Sequence, residues 1–461
     1  MAQKRKKENF KSEEELLEQA LIANTEYPYI IPQNWAWCTM GSLCEFERGI
    51  TFPAVAKENE SSANNIPCLR TANVQEELDL DDLIFVDKSY MKGNNAKFSR
   101  VDDIIMSSAN SRELVGKTCY VSYLPYPMTF GGFVLTIRSK INSRYMFYYL
   151  RKEFLAGKFM GESTQTTNIA NINTATLSSY SFPLAPLAEQ KRIVDRIESL
   201  FAKLDEAKEK AQAVVDGFED RKAAILHKAF TGELTEKWRK NNGGDLNAWK
   251  KYCLKDCCSI GSGGTPSRKE PENYEGDIPW IKTGEVDWNY IYDSEEHISE
   301  NAIANSSAKI YPINAVLVAM YGMGVTRGRA GILKTPAATN QAVCVLQPYD
   351  YLLNRYLFYF FMCNYWDIRE KAVGGNQLNL SATIIGKLEI HIPPIEEQEE
   401  IVSMLDGILE KDSSEKEIAE QVITKIDSMK KAILARAFRG ELGTNDPNDE
   451  SAIELLRRIL K

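Results

Sequence analysis

Pro186-Leu187-Ala188-Glu189-Gln190, followed by Ile193-Val194, returns 208 residues later as Pro394-Ile395-Glu396-Glu397-Gln398, followed by Ile401-Val402. The same offset carries Ala224-Ile225-Leu226, Ala229-Phe230 and Gly232-Glu233-Leu234 onto Ala432-Ile433-Leu434, Ala437-Phe438 and Gly440-Glu441-Leu442 without an insertion. Identity held at one offset over so long a stretch marks an internal duplication. Between the two signatures apolar residues recur every three and four positions. They are Ile193, Ile197, Leu200, Leu204, Ala207, Ala211, Val214 and Phe218 in the first copy. In the second they are Ile401, Leu405, Ile408, Ala419, Val422, Ile426, Met429 and Ile433, with Asp412 and Glu415 interrupting the frame. This is the seam of a coiled coil, and a lone seam cannot stay dry. The two helices are therefore expected to pair, as antiparallel rods on the order of 60 Å long at ~1.5 Å per residue. Each is entered through prolines and left near Gly232 or Gly440.

The segments before the rods are of another kind, with short β-branched and aromatic runs broken by Gly, Pro and Asn. Asp103 to Ser107, Phe133 to Ile137, Ala315 to Ala319 and Val343 to Leu346 read as strands. They too correspond, with shifting offsets. Trp35 matches Trp249, Ile66-Pro67-Cys68-Leu69-Arg70-Thr71 matches Ile278-Pro279-Trp280-Ile281-Lys282-Thr283, and Arg144-Tyr145-Met146-Phe147-Tyr148 matches Arg355-Tyr356-Leu357-Phe358-Tyr359 as a short aromatic helix. The expected fold is α+β: two mixed α/β domains separated by two long antiparallel coiled-coil helices, with an internal pseudo-twofold repeat. The expected boundaries are a terminal helix in 1–26, a first domain over 27–185, a helical spacer over 186–243, a second domain over 244–392 and a second spacer over 393–461.

Composition narrows the function. A chain of 461 residues is long enough for two or three full cores. No apolar run approaches the ~18 residues needed to span a bilayer, and the basic start, Met1 to Lys11, leads into the acidic run Ser12 to Glu18, so the chain reads as cytoplasmic. Nine scattered cysteines suit a reducing compartment. Cys253, Cys257 and Cys258 form the one cluster, and with the three histidines dispersed no metal site is expected. The net charge of −8 argues against nucleic acid until its distribution is considered. Between Lys88 and Lys152 stand eleven Lys/Arg against three Asp/Glu, and between Asn301 and Tyr349 four against none. A charged run is usually a solvated face, but these two fall in corresponding places.

No catalytic constellation is found. Gly116-Lys117-Thr118 has the ending of a phosphate loop, but Ser111 stands where the first glycine is required. No dinucleotide fingerprint, amino-methyltransferase tetrad or paired-histidine motif occurs. The candidates are instead contact residues near glycines. Arg327 and Arg329 lie in the run Tyr321 to Gly331, and Asn110, Arg112 and Lys117 lie in its counterpart, with Lys117 aligned to Arg329. Lys282, Asn340 and Gln341, and the amides Gln165 and Gln377 in matching loops, complete the set; such groups suit base edges or phosphates.

Two variable domains, each followed by a long helix entered through Pro-Leu/Ile-x-Glu-Gln and left through Ala-Phe-x-Gly-Glu-Leu, resemble the specificity subunit of type I restriction-modification systems. Gly264-Thr265-Pro266, with Gly276-Asp277 before Ile278-Pro279-Trp280-Ile281, is similar to the opening of a target-recognition domain; in the first domain Arg48-Gly49-Ile50-Thr51 departs from it. The resemblance implies that each domain reads one half of a split DNA sequence, and that the paired helices set the spacing and dock two methyltransferase subunits, with restriction subunits joining the full complex. It implies that this chain is non-catalytic and holds no cofactor, while S-adenosylmethionine, ATP and Mg are used by partner subunits. A coiled-coil adaptor that binds only proteins is the competing reading. Finally, Ser12-x-x-Glu15 and Ser451-x-x-Glu454 are capping-box starts of two short helices, which are expected to pack together through Leu17 and Leu456.

Overall fold

The computed structural model describes residues 12–91, 97–166, 169–322, 324–373 and 379–461. Its contacts divide the chain into two units, Met1–Lys210 with Val422–Lys461, and Ala211–Gln421.

In the first unit the strand Val134–Ser139 lies between Cys44–Arg48 and Ile104–Ser107, and Thr118–Tyr120 completes an antiparallel sheet of four. All four residues of Ile104–Ser107 are buried, as a central strand covered on both faces requires. A second sheet runs in the order Lys57–Glu58, Ile84–Asp87, Asn65–Leu69, Thr129–Phe130, its last pair parallel. The second unit repeats this plan. Val343–Pro348 lies between Cys258–Ser262 and Val316–Ala319, followed by Ala330–Leu333 and then Asn289–Ile291 in parallel; Ile278–Ile281 and Ala337–Thr339 again pair in parallel in the smaller sheet. The four runs expected as strands are thus the middle of the two main sheets.

The helices follow from the repeated signatures. The first spacer is broken at Gly217 into Leu187–Asp216 and Phe218–Phe230, whereas Ile395–Ala437 runs unbroken. The break has a local cause within the second unit. Arg221 folds back over Gly217 to donate to the Val214 carbonyl (3.0 Å), and its Nε meets Asp412 Oδ1 at 2.7 Å; a Cβ on residue 217 would lie 2.8 Å from the Arg221 guanidinium. Asp412, read as an interruption of the heptads, is a 7 % exposed partner in the seam.

Of the expected seam residues, Ile193, Ile197, Ile401, Leu405 and Ile426 are buried, while Leu200, Leu204, Val214, Phe218, Ile408 and Val422 are half-buried. Met429 is 50 % exposed and does not belong to the seam. A two-helix rod has only two faces to close, so its seam is dry where a domain core backs it and wet elsewhere. In the first unit cross-helix ion pairs line the rod, Lys208 Nζ to Asp427 at 2.9 Å and Lys430 to Asp205. Other pairs act along one helix, Lys191 Nζ to Asp195 at 2.7 Å and Lys210 Nζ to Glu206 at 2.6 Å.

Where the rods meet the domains, the signatures acquire physical roles. Glu397 is buried and accepts from Thr235 Oγ1 (2.7 Å), Trp249 Nε1 (3.0 Å) and Arg239. Glu189 does the same in the first unit, accepting from Trp35 Nε1 (2.7 Å), Asn445 Nδ2 (2.8 Å) and Thr444 Oγ1 (3.2 Å). The neighbouring glutamines tie three segments together: Gln398 Nε2 donates to the Pro393 and Tyr351 carbonyls and its Oε1 accepts from Leu353 N, as Gln190 does with Ala185 O and Asn142 N. At the other signature Phe438 packs at an angle against Tyr145 and Tyr149, and Phe230 against Tyr356 and Phe360, the aromatic helices being Ser143–Leu155 and Asn354–Cys363. Gly440 (φ +74°) and Gly232 (φ +80°) turn the chain left-handed past the helix ends, which glycine adopts without the Cβ clash. In the first unit the capped helices Glu13–Ala20 and Ala452–Leu460 pack together, with Leu17 and Leu456 in one core and Arg457 Nη1 to Glu14 at 2.7 Å. No helix of the described residues is long and apolar enough to cross a membrane.

Candidate nucleic-acid interface

Four backbone hydrogen bonds place the candidate loops at the same edge of each main sheet. In the first unit they are Ser107 N to Lys117 O, Gly116 N to Ser107 O, Ser108 N to Phe133 O and Ile172 N to Ser108 O. In the second they are Ala319 N to Arg329 O, Gly328 N to Ala319 O, Met320 N to Ala342 O and Leu380 N to Met320 O, all between 2.8 and 3.0 Å. Three loops from distant parts of the sequence therefore converge in each domain. Lys117 and Arg329 occupy the same place, as their alignment predicts.

The side chains are less free than the sequence suggests. Arg329 pairs with Asp287, and Lys117 in the matching position donates to Gln75. Lys282 Nζ lies 3.0 Å from Glu296 Oε1 and 3.4 Å from Glu295 Oε2; the hydrogen bond to Glu296 raises the pKa of the lysine and lowers that of the glutamate. Its counterpart Arg70 is paired in the same manner with Asp82 at 2.7 Å, so this position locks a turn rather than projecting a reader. Asn110 donates to Ser107 Oγ (3.0 Å) and accepts from Ser111 N (2.8 Å), Asn340 accepts from Ala342 N (3.1 Å), and Gln341 is exposed and bonded to Thr265. Arg112 is exposed and makes no ion pair among the described residues. Gln165 lies in the strand Thr164–Thr166, with its side chain outside the described residues, as is the whole of Gln377. Arg327 is half-buried, its pKa lowered by burial and then by the nearby Arg369 charge.

Linear charge counting also overstated the first basic stretch. Arg138 is held by Asp103 and Glu47, Arg144 by Glu198, Arg151 by Glu76 and Lys152 by Glu153. Four of those carboxylates, Glu47, Glu76, Glu153 and Glu198, come from outside the window. The Gly116-Lys117-Thr118 segment is a turn into the strand Thr118–Tyr120, without the helix N-terminus on which a phosphate loop depends.

The opening loops are equivalent despite their different sequences. A Cβ on Gly263 would lie 1.7 Å from the Thr339 carbonyl oxygen, and one on Gly49 2.2 Å from that of Gly131, while Gly264 N and Ile50 N donate to Thr339 O and Phe130 O. A single glycine pressed against the neighbouring strand is what both domains need. Gly263→Ala should force these backbones apart and destabilise the chain by about 1–3 kcal/mol, read as a lower denaturation midpoint in urea with an unchanged slope.

The fold is one scaffold built twice, and in each copy three loops meet at the corresponding edge of the main sheet. The chain belongs to the type I restriction modification DNA specificity family, whose domain matches it twice, over residues 32–215 and 247–424. It is 27% identical over 435 residues to the EcoKI specificity subunit of Escherichia coli K12, covering 89% of this chain and 90% of that one. It is 25% identical over 429 residues to the StySPI specificity subunit of Salmonella potsdam, at the same coverage. Among solved structures, the HsdS subunit from Thermoanaerobacter tengcongensis shares the fold at a TM-score of 0.60 and 18% identity, covering 90% of this chain and all of that one. A chain from a structure describing assembly and conformational transition of the type I R-M system matches at 0.65, also 18% identical, with the same coverage. The chain is thus a DNA sequence-recognition subunit of a type I restriction-modification system.

Proposed function

We propose that this chain reads a bipartite DNA target, one half-site per globular domain, and that its helices dock two methyltransferase subunits and, through them, restriction subunits. The observation that carries this reading is the loop edge built twice from matching backbone hydrogen bonds but different side chains. Two readers with one scaffold and different loop chemistry suit two different half-sites, with unread bases between them. Adenine methylation with S-adenosylmethionine and ATP- and Mg-dependent cleavage then belong to the partner subunits, and this chain acts non-catalytically in the cytoplasm. The charged outer faces of the helices suit protein partners better than DNA.

The test is a genome-wide map of methylated adenines with and without this chain. Loss of one split motif on deletion is expected; an unchanged map, together with no salt-dependent DNA binding in the presence of a methyltransferase, would leave the protein-only adaptor. Within that motif Arg327→Ala is expected to weaken specific binding by about 1–3 kcal/mol and to relax one half-site. Unchanged affinity and motif would remove Arg327 from the contact set.

A further inference from the structure

The loop Gly324–Arg329 is held from outside by two side chains of the helix Tyr365–Glu370. Arg369 Nη1 donates to the Arg327 carbonyl at 2.5 Å and Nη2 to the Gly324 carbonyl, while Tyr365 Oη donates to the Val325 carbonyl. Three carbonyls within four residues are thereby captured by one guanidinium and one phenol. The clamp is itself braced: the Arg369 guanidinium lies 5.2 Å from the Tyr365 ring, which packs edge-on against Trp288 at 5.5 Å, next to the Asp287 that holds Arg329. Gly328 (φ +91°) brings the loop down onto this surface, where a Cβ would sit 3.2 Å from Arg369 Cγ.

The first domain solves the same problem with different chemistry. Gly116 (φ +83°), in the position of Gly328, lies against the buried ring of Phe159, where a Cβ would be 2.4 Å from the ring carbon. That loop also ties itself with Leu114 N to Ser111 O and Lys117 N to Leu114 O. An apolar support serves a loop whose own backbone bonds fix its shape. The loop of the second domain, equal in length, keeps the tie Arg329 N to Thr326 O and has three further carbonyls fixed by donors from elsewhere.

We infer that Arg369 and Tyr365 are positioning residues for DNA reading by the second domain, holding the Arg327 loop in one conformation so that its side chains meet the same bases each time. This rests on the reading of that loop edge as the DNA-contacting one. A fork with two N–H vectors is required, because a lysine ammonium cannot span the Gly324 and Arg327 carbonyls with planar geometry. The energetic logic is preorganisation: a loop free to sample several shapes binds its own site less tightly and wrong sites comparatively better.

The experiment uses the full chain with its methyltransferase partner, duplex DNA carrying the motif assigned to the wild type, and the genomic methylation map. Arg369→Ala and Arg369→Lys are both expected to lower specific affinity about 10- to 100-fold and to broaden the half-site read by the second domain, leaving the other half-site intact. Tyr365→Phe, which removes one hydrogen bond and keeps the ring on Trp288, should broaden the same half-site to a smaller degree. An Arg369→Lys complex with wild-type affinity and motif would overturn the proposal in favour of simple charge attraction to phosphate. Loss of both half-sites together would overturn it in favour of a general structural role. Absence of sequence-selective binding by the wild-type complex would instead remove the DNA reading on which the clamp depends.

Discussion

Replacing Glu397 by alanine is expected to cost about 3–5 kcal/mol of folding stability, the range found when one member of a buried ion pair is deleted. The carboxylate is 2 % exposed and serves Thr235, Trp249 and Arg239 together. Its loss would leave the Arg239 side chain, itself 8 % exposed, with the Gly232 carbonyl at 2.6 Å and the Thr235 hydroxyl at 3.4 Å but no counter-charge. Glu397→Gln keeps the acceptor for Thr235 while removing the charge, so its cost should be intermediate. The double variant Glu397→Leu with Arg239→Leu should recover much of the loss, because no charge then remains buried. Urea unfolding of the four proteins decides the matter; equal midpoints for wild type and Glu397→Ala would show that the pair contributes nothing. The same argument applies to Glu189 with weaker consequences, since its partners Trp35, Asn445 and Thr444 are uncharged.

The second large effect is expected at Phe438. Its ring is fully buried, 5.0 Å from Tyr145 and 5.2 Å from Tyr149, in the core that also takes in Leu17, Leu455 and Leu456. Phe438→Ala should cost about 3–5 kcal/mol through lost burial and the cavity left behind. Phe230, in the matching place, is half-buried, so Phe230→Ala should cost less. Because the two rings sit in different units, the variants should also differ in function: Phe438→Ala should impair the half-site read by the first domain, and Phe230→Ala that read by the second. Thermal melts together with methylation maps check both statements, and an equal loss for the two variants would count against the burial argument.

The two glutamates and two phenylalanines also show what a linear reading could reach. The Glu-Gln and Ala-Phe-x-Gly-Glu-Leu signatures were conspicuous because they recur at one offset, yet their role as hubs between rod and domain required the tryptophan, threonine and arginine that fold onto them from up to 255 residues away. Arg369 and Tyr365 carried no comparable signal. Their task is to donate to carbonyl oxygens, and a carbonyl is the same at every residue, so no side-chain pattern announces it.

Periodicity and repetition in the sequence by themselves determined the duplicated α+β architecture, the paired helices, the strands at the centre of each main sheet, the correspondence of Lys117 with Arg329 and the family. These depend on local rules: a 3.5-residue seam, short β-branched runs between turn residues, and a repeat that any reader of the chain can align. Tertiary structure alone decided which charges are spent. Arg329, Lys282, Arg138 and Arg151 look available in sequence and are neutralised by Asp287, Glu296, Asp103 and Glu76. It also decided that Met429 faces outward, that the first rod breaks at Gly217, and that Asp412 is a seam partner of Arg221. Each of these turns on the distance between groups far apart in the chain, and electrostatic and packing energies depend on that distance rather than on separation in sequence.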